Sequence, residues 1–436
     1  MTRLKTAART TFRSLEVRNY RLYFFGQIVS VTGTWMQSVA QVWLVLKLTG
    51  SPLALGITTG LQFLPILILG PVGGVIADRF DKRKVLIGTQ AADASLALAL
   101  GILTLAGAVQ LWMVYLLALG LGLVTVVDNP TRQSFVMEMV GPEDLQNGIS
   151  LNSAVFTGAR VLGPALAGAL ILTAGIATCF LVNAVSYIAV IAGLLAMNTR
   201  DLFRERRLPR GKGQVVEGLR YVWSTPRLRW PLALMAVLYT VSFNFTVLLP
   251  LLARFSFGGG AGMYSLFFSV MAIGSVVGAL TVAHQRRPSP RILAGAGLAL
   301  GVAMLAVSAA PVVAIAFAIL PVVGFFSMVF MATGNSMMQF GSAPAMRGRV
   351  MALYAMVFLG STPIGGPLVG WIAERTSARV SLALGGLVAL VASIGALWVL
   401  RALGGRGRAP RIVRRLAATE PVAPVVDGAE VEPLSA

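Results

Sequence analysis

Apolar stretches recur from one end of the chain to the other, and each is long enough for a helix to cross a hydrocarbon core of about 30 Å. The pattern predicts twelve spans, at 20–46, 52–77, 85–107, 110–129, 147–173, 175–197, 231–253, 261–283, 291–309, 311–335, 350–373 and 380–402. Turns as short as "TAGIAT" after the fifth span force neighbouring helices into antiparallel hairpins. One span is not uniformly apolar. In "QIVSVTGTWMQSVAQVW", Gln27, Ser30, Thr34, Gln37, Ser38 and Gln41 fall within an arc of about 100° at helical spacing. Polar side chains are costly against lipid. Hydrogen bonding to neighbouring helices would supply only about 0.6 kcal/mol per contact. The stripe is therefore expected to line a solvated cavity.

Composition agrees with a polytopic membrane protein: 56% of the 436 residues are hydrophobic and 12% charged. A soluble domain carries about twice that charged fraction. The net charge of +20 would suit a nucleic-acid binder, but its distribution excludes that reading. Of 36 basic residues, 31 fall on the side that holds the N-terminus. Lys47, Arg254, Arg375 and Arg379 fall on the other, and Arg160 lies inside the fifth span. By the positive-inside rule both termini are expected in the cytoplasm of a bacterial cell, and the excess charge faces lipid headgroups of the inner membrane.

The organisation that follows is a basic cytoplasmic arm at 1–19, a six-helix half at 20–197, a cytoplasmic linker at 198–230, a second six-helix half at 231–402 and a tail at 403–436. Within the linker, "VVEGLRYVW" has the spacing of an amphipathic surface helix. The Pro- and Ala-rich acidic end of the tail reads as disordered. No small-residue cleavage site follows the first span, so it is expected to stay in place as an uncleaved helix.

Chemistry narrows the function further. Cys179 is the only cysteine and His284 the only histidine, so neither a multi-His nor a Cys-based metal site is expected, and no cofactor is. His284, beside Arg286 and Arg287, reads as interfacial. There is no phosphate-binding GxxxxGK[ST] run to bring ATP drive. No nucleophile–base pair suggests an enzyme, and no filter-like ring suggests a channel.

Charges inside the spans stand out. Arg160 lies roughly 20 Å along the fifth span, near mid-membrane, where an unpaired arginine costs at least about 2.5 kcal/mol. It reads either as an anchor for an anionic substrate group or as half of a buried pair with Asp93 or Asp128. Those two carboxylates are also the available proton carriers, with Glu138 a distant third. Asp128 in "DNPTRQ", at the inner end of the fourth span, could instead cap the next turn and pair with Arg132. The seventh span adds polar Tyr239, Ser242 and Asn244, and the tenth adds Ser327, Met328, Met331 and Asn335.

The halves also echo each other. Gly74 precedes Gly278 by 204 residues, Asn129 and Gln133 precede Asn335 and Gln339 by 206, and Gly163–Pro164 precedes Gly366–Pro367 by 203. Duplicated six-helix halves with a site between them are one plan for secondary transporters.

With these residues in view, "GGVIADRFDKRK" resembles the loop signature of the major facilitator superfamily. Gly74, Asp78, Arg79, Lys82 and Arg83 fall on its glycine, acid and basic positions. Asp81 stands where that pattern has glycine, and Lys82 where arginine is commoner. "GARVLGPALAG", with Gly158, Gly163, Pro164 and Gly168, is similar to the superfamily's fifth-helix signature, commoner among exporters. "RNYRLYFFGQIVS", "DNPTRQ" and "FNFTVLLPLLAR" resemble the branch that includes enterobactin exporters and macrolide efflux proteins.

The resemblance, over about 15–402, implies an all-α fold of twelve transmembrane helices in two pseudo-symmetric six-helix bundles. It implies a loop charge relay that locks the cytoplasmic ends together, and a cavity lined by helices 1, 4, 7 and 10. It also makes the third helix, with Asp93, peripheral. Related exporters often carry an acid near position 42 or 47, where this chain has Val42 and Lys47.

The expected function is export of a small, moderately hydrophobic molecule, drug- or siderophore-like, by alternating access and proton antiport. The partners are that substrate, protons and membrane lipids, and the protein is expected to act as a monomer. Import or uncoupled facilitation by the same fold is the nearest alternative, and a non-transporting sensor or scaffold is the alternative of another class.

Overall fold

The computed structural model describes residues 12–203, 214–283, 288–344 and 346–404. The expectations for most of the N-terminal arm, for His284 with Arg286 and Arg287, and for the acidic tail lie outside the described residues. Among those described there is no strand. Helix α1 runs Arg18–Thr49, α2 Pro52–Arg79 and α3 Lys82–Leu105. The continuous stretch Leu111–Ala174 is two helices that meet at Gly141, α4 before it and α5 after it. Next come α6 at Ile176–Leu195, the short linker helix α7 at Gln214–Ser224 and the broken span α8 at Pro226–Ser256. The second half continues with α9 at Ala261–Ala283, α10 at Pro290–Ser308 and α11 at Val313–Gly341. It ends with α12 at Arg347–Arg375 and α13 at Ala378–Gly404.

Without α7, twelve helices remain, six in each bundle, as the hydropathy pattern predicts. Ten stretches are apolar enough to cross a membrane by length and composition. The α4–α5 pair counts once among them, and α1 is absent because its polar stripe lowers its hydropathy. Gly141 makes the α4–α5 turn with φ of +73°, a left-handed conformation that glycine adopts without a Cβ clash. Because α4 continues to that turn, Asp128 and Arg132 lie within the helix and not at its edge. Arg132 therefore leaves the tally of loop charges on the basic face.

Packing divides by depth. Tyr20, Tyr23, Leu86, Phe135 and Leu194 form a core of the first half alone. Leu228, Met235, Phe330 and Val350 form one of the second half alone. Both lie toward the basic face, where α1 begins. Toward the opposite face a single core joins the halves, from Val45 and Leu55 across to Leu248, Phe267 and Val369. Small residues permit that approach: a Cβ on Gly56 of α2 would sit 2.3 Å from the Gly366 carbonyl of α12. At the rim, Arg254 donates to the Leu46 carbonyl at 2.5 Å. Glu374 accepts from the Ser51 hydroxyl at 2.5 Å and the Leu53 amide at 2.8 Å. The bundles thus meet at the opposite face and part toward the basic one.

Candidate functional site

A cavity open to solvent lies between the halves. Trp35 of α1 and Arg160 of α5 face it from the first half, and Asn244 of α8, Phe268 of α9, Ser327 of α11 and Phe358 of α12 from the second. Tyr239, Met328 and Met331 line it as well. Ser242 and Asn335, expected with them, do not. The Ser242 hydroxyl is directed away, donating to the Gly385 carbonyl of α13 at 2.7 Å.

The α1 stripe is the main correction. None of Gln27, Ser30, Thr34, Gln37 and Gln41 lines this cavity. Gln27 accepts from Arg132 of α4 at 2.6 Å, and Gln37 accepts from Asn183 of α6 at 2.6 Å. Thr34 meets the Tyr187 hydroxyl of α6 at 3.2 Å, and Gln41 donates to Gln62 of α2 at 3.4 Å. Ser30 is buried. Neighbouring helices of the same half supply partners that sequence alone could not see, so the stripe stitches the bundle together. Helix α4 likewise contributes no lining residue, because its polar face is turned to α1 and α3.

That face carries a buried network. Asp128 pairs with Arg132 one turn on and also accepts from Thr89 at 2.8 Å and Gln90 at 3.0 Å. It is not a cap. Arg132 lies over the Phe156 ring at 5.7 Å. Asp93, buried on α3, feels the charges of both Asp128 and Arg132 but makes no hydrogen bond or ion pair among the described residues.

Arg160 pairs with neither carboxylate. Its guanidinium lies 5.6 Å from the Trp35 ring centroid and 5.8 Å from that of Phe268, and its Nε is buried without a hydrogen-bond partner among the described residues. Gly163 and Gly168 of the fifth-helix signature are packing devices. A Cβ on Gly163 would lie 2.5 Å from that of Trp35, and one on Gly168 would lie 2.9 Å from Ser265 of α9. Pro164 is buried beside Gly163. Gly158 has open space around it.

In the loop between α2 and α3, Asp81 caps α3 by accepting from the Lys84 amide at 3.1 Å. Carboxylate caps of this kind satisfy an orphan helix donor, which gives the departure from glycine a local use. Lys82 pairs with Glu138 of α4. Arg83 donates to the carbonyls of Leu194 and Leu195 at the end of α6, at 2.6 and 3.1 Å. These contacts stay inside the first half. Asp78 and Gly74 are half-buried and Arg79 is exposed.

Sequence reasoning missed the interruption of α8. The helix stops at Val241 and restarts at Phe245, and Asn244 donates back to the Thr240 carbonyl at 2.8 Å. Irregular backbone at this depth is tolerated where side chains re-satisfy it beside a cavity. "VSFNF" contains no proline, so only its poor helix formers hinted at the break.

Known proteins are consistent with this architecture. The multidrug efflux pump Tap of Mycolicibacterium fortuitum is 26% identical over 87% of this chain and 95% of its own length. The enterobactin exporter EntS of Citrobacter koseri is 25% identical over 84% and 88%. An inward-facing, unoccupied structure of a bacterial homologue of the human lysosomal transporter Spinster matches with a TM-score of 0.68. Its identity is 16%, covering 88% of this chain and 95% of that one, so it speaks to the fold. The family model described as transmembrane secretion effector matches residues 9–409, and the chain belongs to that family of multi-pass major facilitator transporters.

Proposed function

We propose that this protein exports a small, moderately hydrophobic molecule from the cytoplasm by alternating access, and that the structure is its inward-open state. The observation that carries the reading is the uneven core. The halves share apolar packing at the face opposite the basic one and have separate cores toward it, with the cavity between them. With both termini cytoplasmic, that cavity loads from inside. The relatives named as an efflux pump and an enterobactin exporter support export and a drug- or siderophore-like substrate. The loop residues Asp78, Arg79, Lys82 and Arg83 act as a gate. Their partners would change when the basic ends meet, which is the condition for favouring one state.

Proton antiport is assigned to Asp93. Thr89, Gln90 and Arg132 all direct their donors to Asp128, which leaves Asp128 held in an ion pair and Asp93 free to change protonation. The experiment is flux in proteoliposomes under an imposed pH gradient, with a panel of amphiphilic compounds and the Asp93→Asn variant. Gradient-driven flux that falls to the passive level in Asp93→Asn is expected. No flux of any compound in either direction would sink the transport reading, and full coupling in Asp93→Asn would sink the proton assignment.

A further inference from the structure

We infer that the central cavity is an anion site, and that the molecule it takes joins one acidic group to a flat apolar or aromatic body. The claim deepens the transport reading and rests on it only for the fate of the bound molecule. Arg160 is the sole charged side chain lining the cavity among the described residues. Its Nε is buried without a partner, and no carboxylate there lies within ion-pair distance of it. An arginine at mid-membrane depth carries a large desolvation cost.

The two ring faces it meets, Trp35 at 5.6 Å and Phe268 at 5.8 Å, return only a fraction of that cost. They also leave the planar fork of N–H donors unused, and a carboxylate or similar oxyanion fits such a fork with two parallel hydrogen bonds. Around it the walls are mostly aromatic and apolar, with Phe243, Phe358 and the flexible Met328 and Met331 contributed by the second half, a surface that adapts to a flat body. Trp35 and Phe268 come from different halves and their centroids are 5.8 Å apart. An anion held there touches both bundles where they cross. An organic cation would meet an unpaired like charge and no acid.

The test is isothermal titration calorimetry on the detergent-solubilised full chain with three near-isosteric probes: naphthoate, naphthamide and naphthylmethylammonium. Naphthoate should bind at least about tenfold more tightly than the amide, with the ammonium weakest. Arg160→Gln should erase the naphthoate preference while amide binding stays within about twofold, and Arg160→Lys should keep part of it. Equal affinities in the unaltered protein, an ammonium preference, no naphthoate binding, or a preference that survives Arg160→Gln would each overturn the inference. A packing role alone would lower the melting temperature of Arg160→Gln and leave the order of probes intact, which also overturns it. The transport reading fails separately: naphthoate binding with no flux of any compound would sink transport and leave the anion site standing.

Discussion

Removing Arg254 and Glu374 together should unlatch the face opposite the basic one. Each side chain belongs to the second half and closes a helix end of the first: Arg254 reaches the Leu46 carbonyl near the end of α1, and Glu374 receives the Leu53 amide and Ser51 hydroxyl at the start of α2. The signs are right for both helix dipoles, a cation at a C-terminus and an anion at an N-terminus. A buried charged hydrogen bond is worth about 1.5–3 kcal/mol. Glu374 is exposed and Arg254 half-buried, so solvent screening reduces each to about 1 kcal/mol.

Those bonds exist only while the halves touch at this rim, so the whole of that energy is differential between the two states. The double variant Arg254→Ala/Glu374→Ala therefore loses about 2 kcal/mol, a shift of about thirtyfold toward the form open at this face. Thr59, buried in the seam of α2 and α12, gives the assay. A Thr59→Cys substitution should be alkylated by an impermeant maleimide from outside intact cells at a rate proportional to the open population. The native Cys179 is buried and adds little background. A rise of about thirtyfold in that rate is expected, and an unchanged rate in the double variant would refute the latch.

Three further outcomes follow from the packing. Gly56→Val inserts side-chain atoms where even a Cβ would lie 2.3 Å from the Gly366 carbonyl; the seam should part, raising the same alkylation rate or collapsing the yield of folded protein on size-exclusion. Asp128→Asn strands Arg132 in its buried network and should cost about 3–5 kcal/mol of stability, read as a lower melting temperature. The double variant Asp128→Asn/Arg132→Gln should recover part of that loss in a double-mutant cycle. Asp93→Asn, which loses no hydrogen bond, should melt within a degree or two of the unaltered protein while losing gradient dependence of flux, and a large drop in melting temperature would make it structural.

Hydropathy and charge placement made the fold legible, because lipid imposes both length and sign on every span. The partners of the polar residues were not legible, for a physical reason. Helical spacing shows that Gln27, Thr34, Gln37 and Gln41 share a face, but it carries no information on whether that face meets water or another helix. Arg132, Asn183, Tyr187 and Gln62 come from three different helices, and only packing brings them to α1. Arg160 was conspicuous by depth alone. That its neighbours are rings and not carboxylates depends on α1 and α9 crossing beside it, which no local pattern announces.

The two halves are held together differently, and the difference bears on how they move. In the first, buried side-chain hydrogen bonds run from α1 to α2, α4 and α6, and from α3 to α4. Breaking any of them leaves an unsatisfied polar group in a low-dielectric interior, which makes the bundle stiff. In the second, aromatic rings of α8, α11 and α12 cluster around Tyr239, and α8 itself is interrupted beside the cavity. Ring contacts slide at smaller cost than hydrogen bonds break, and a break in a helix concentrates bending at one place. The proposed alternating access therefore needs no deformation of the first half: it can act as a fixed wall carrying Arg160, while the second half closes over the anion proposed for that arginine.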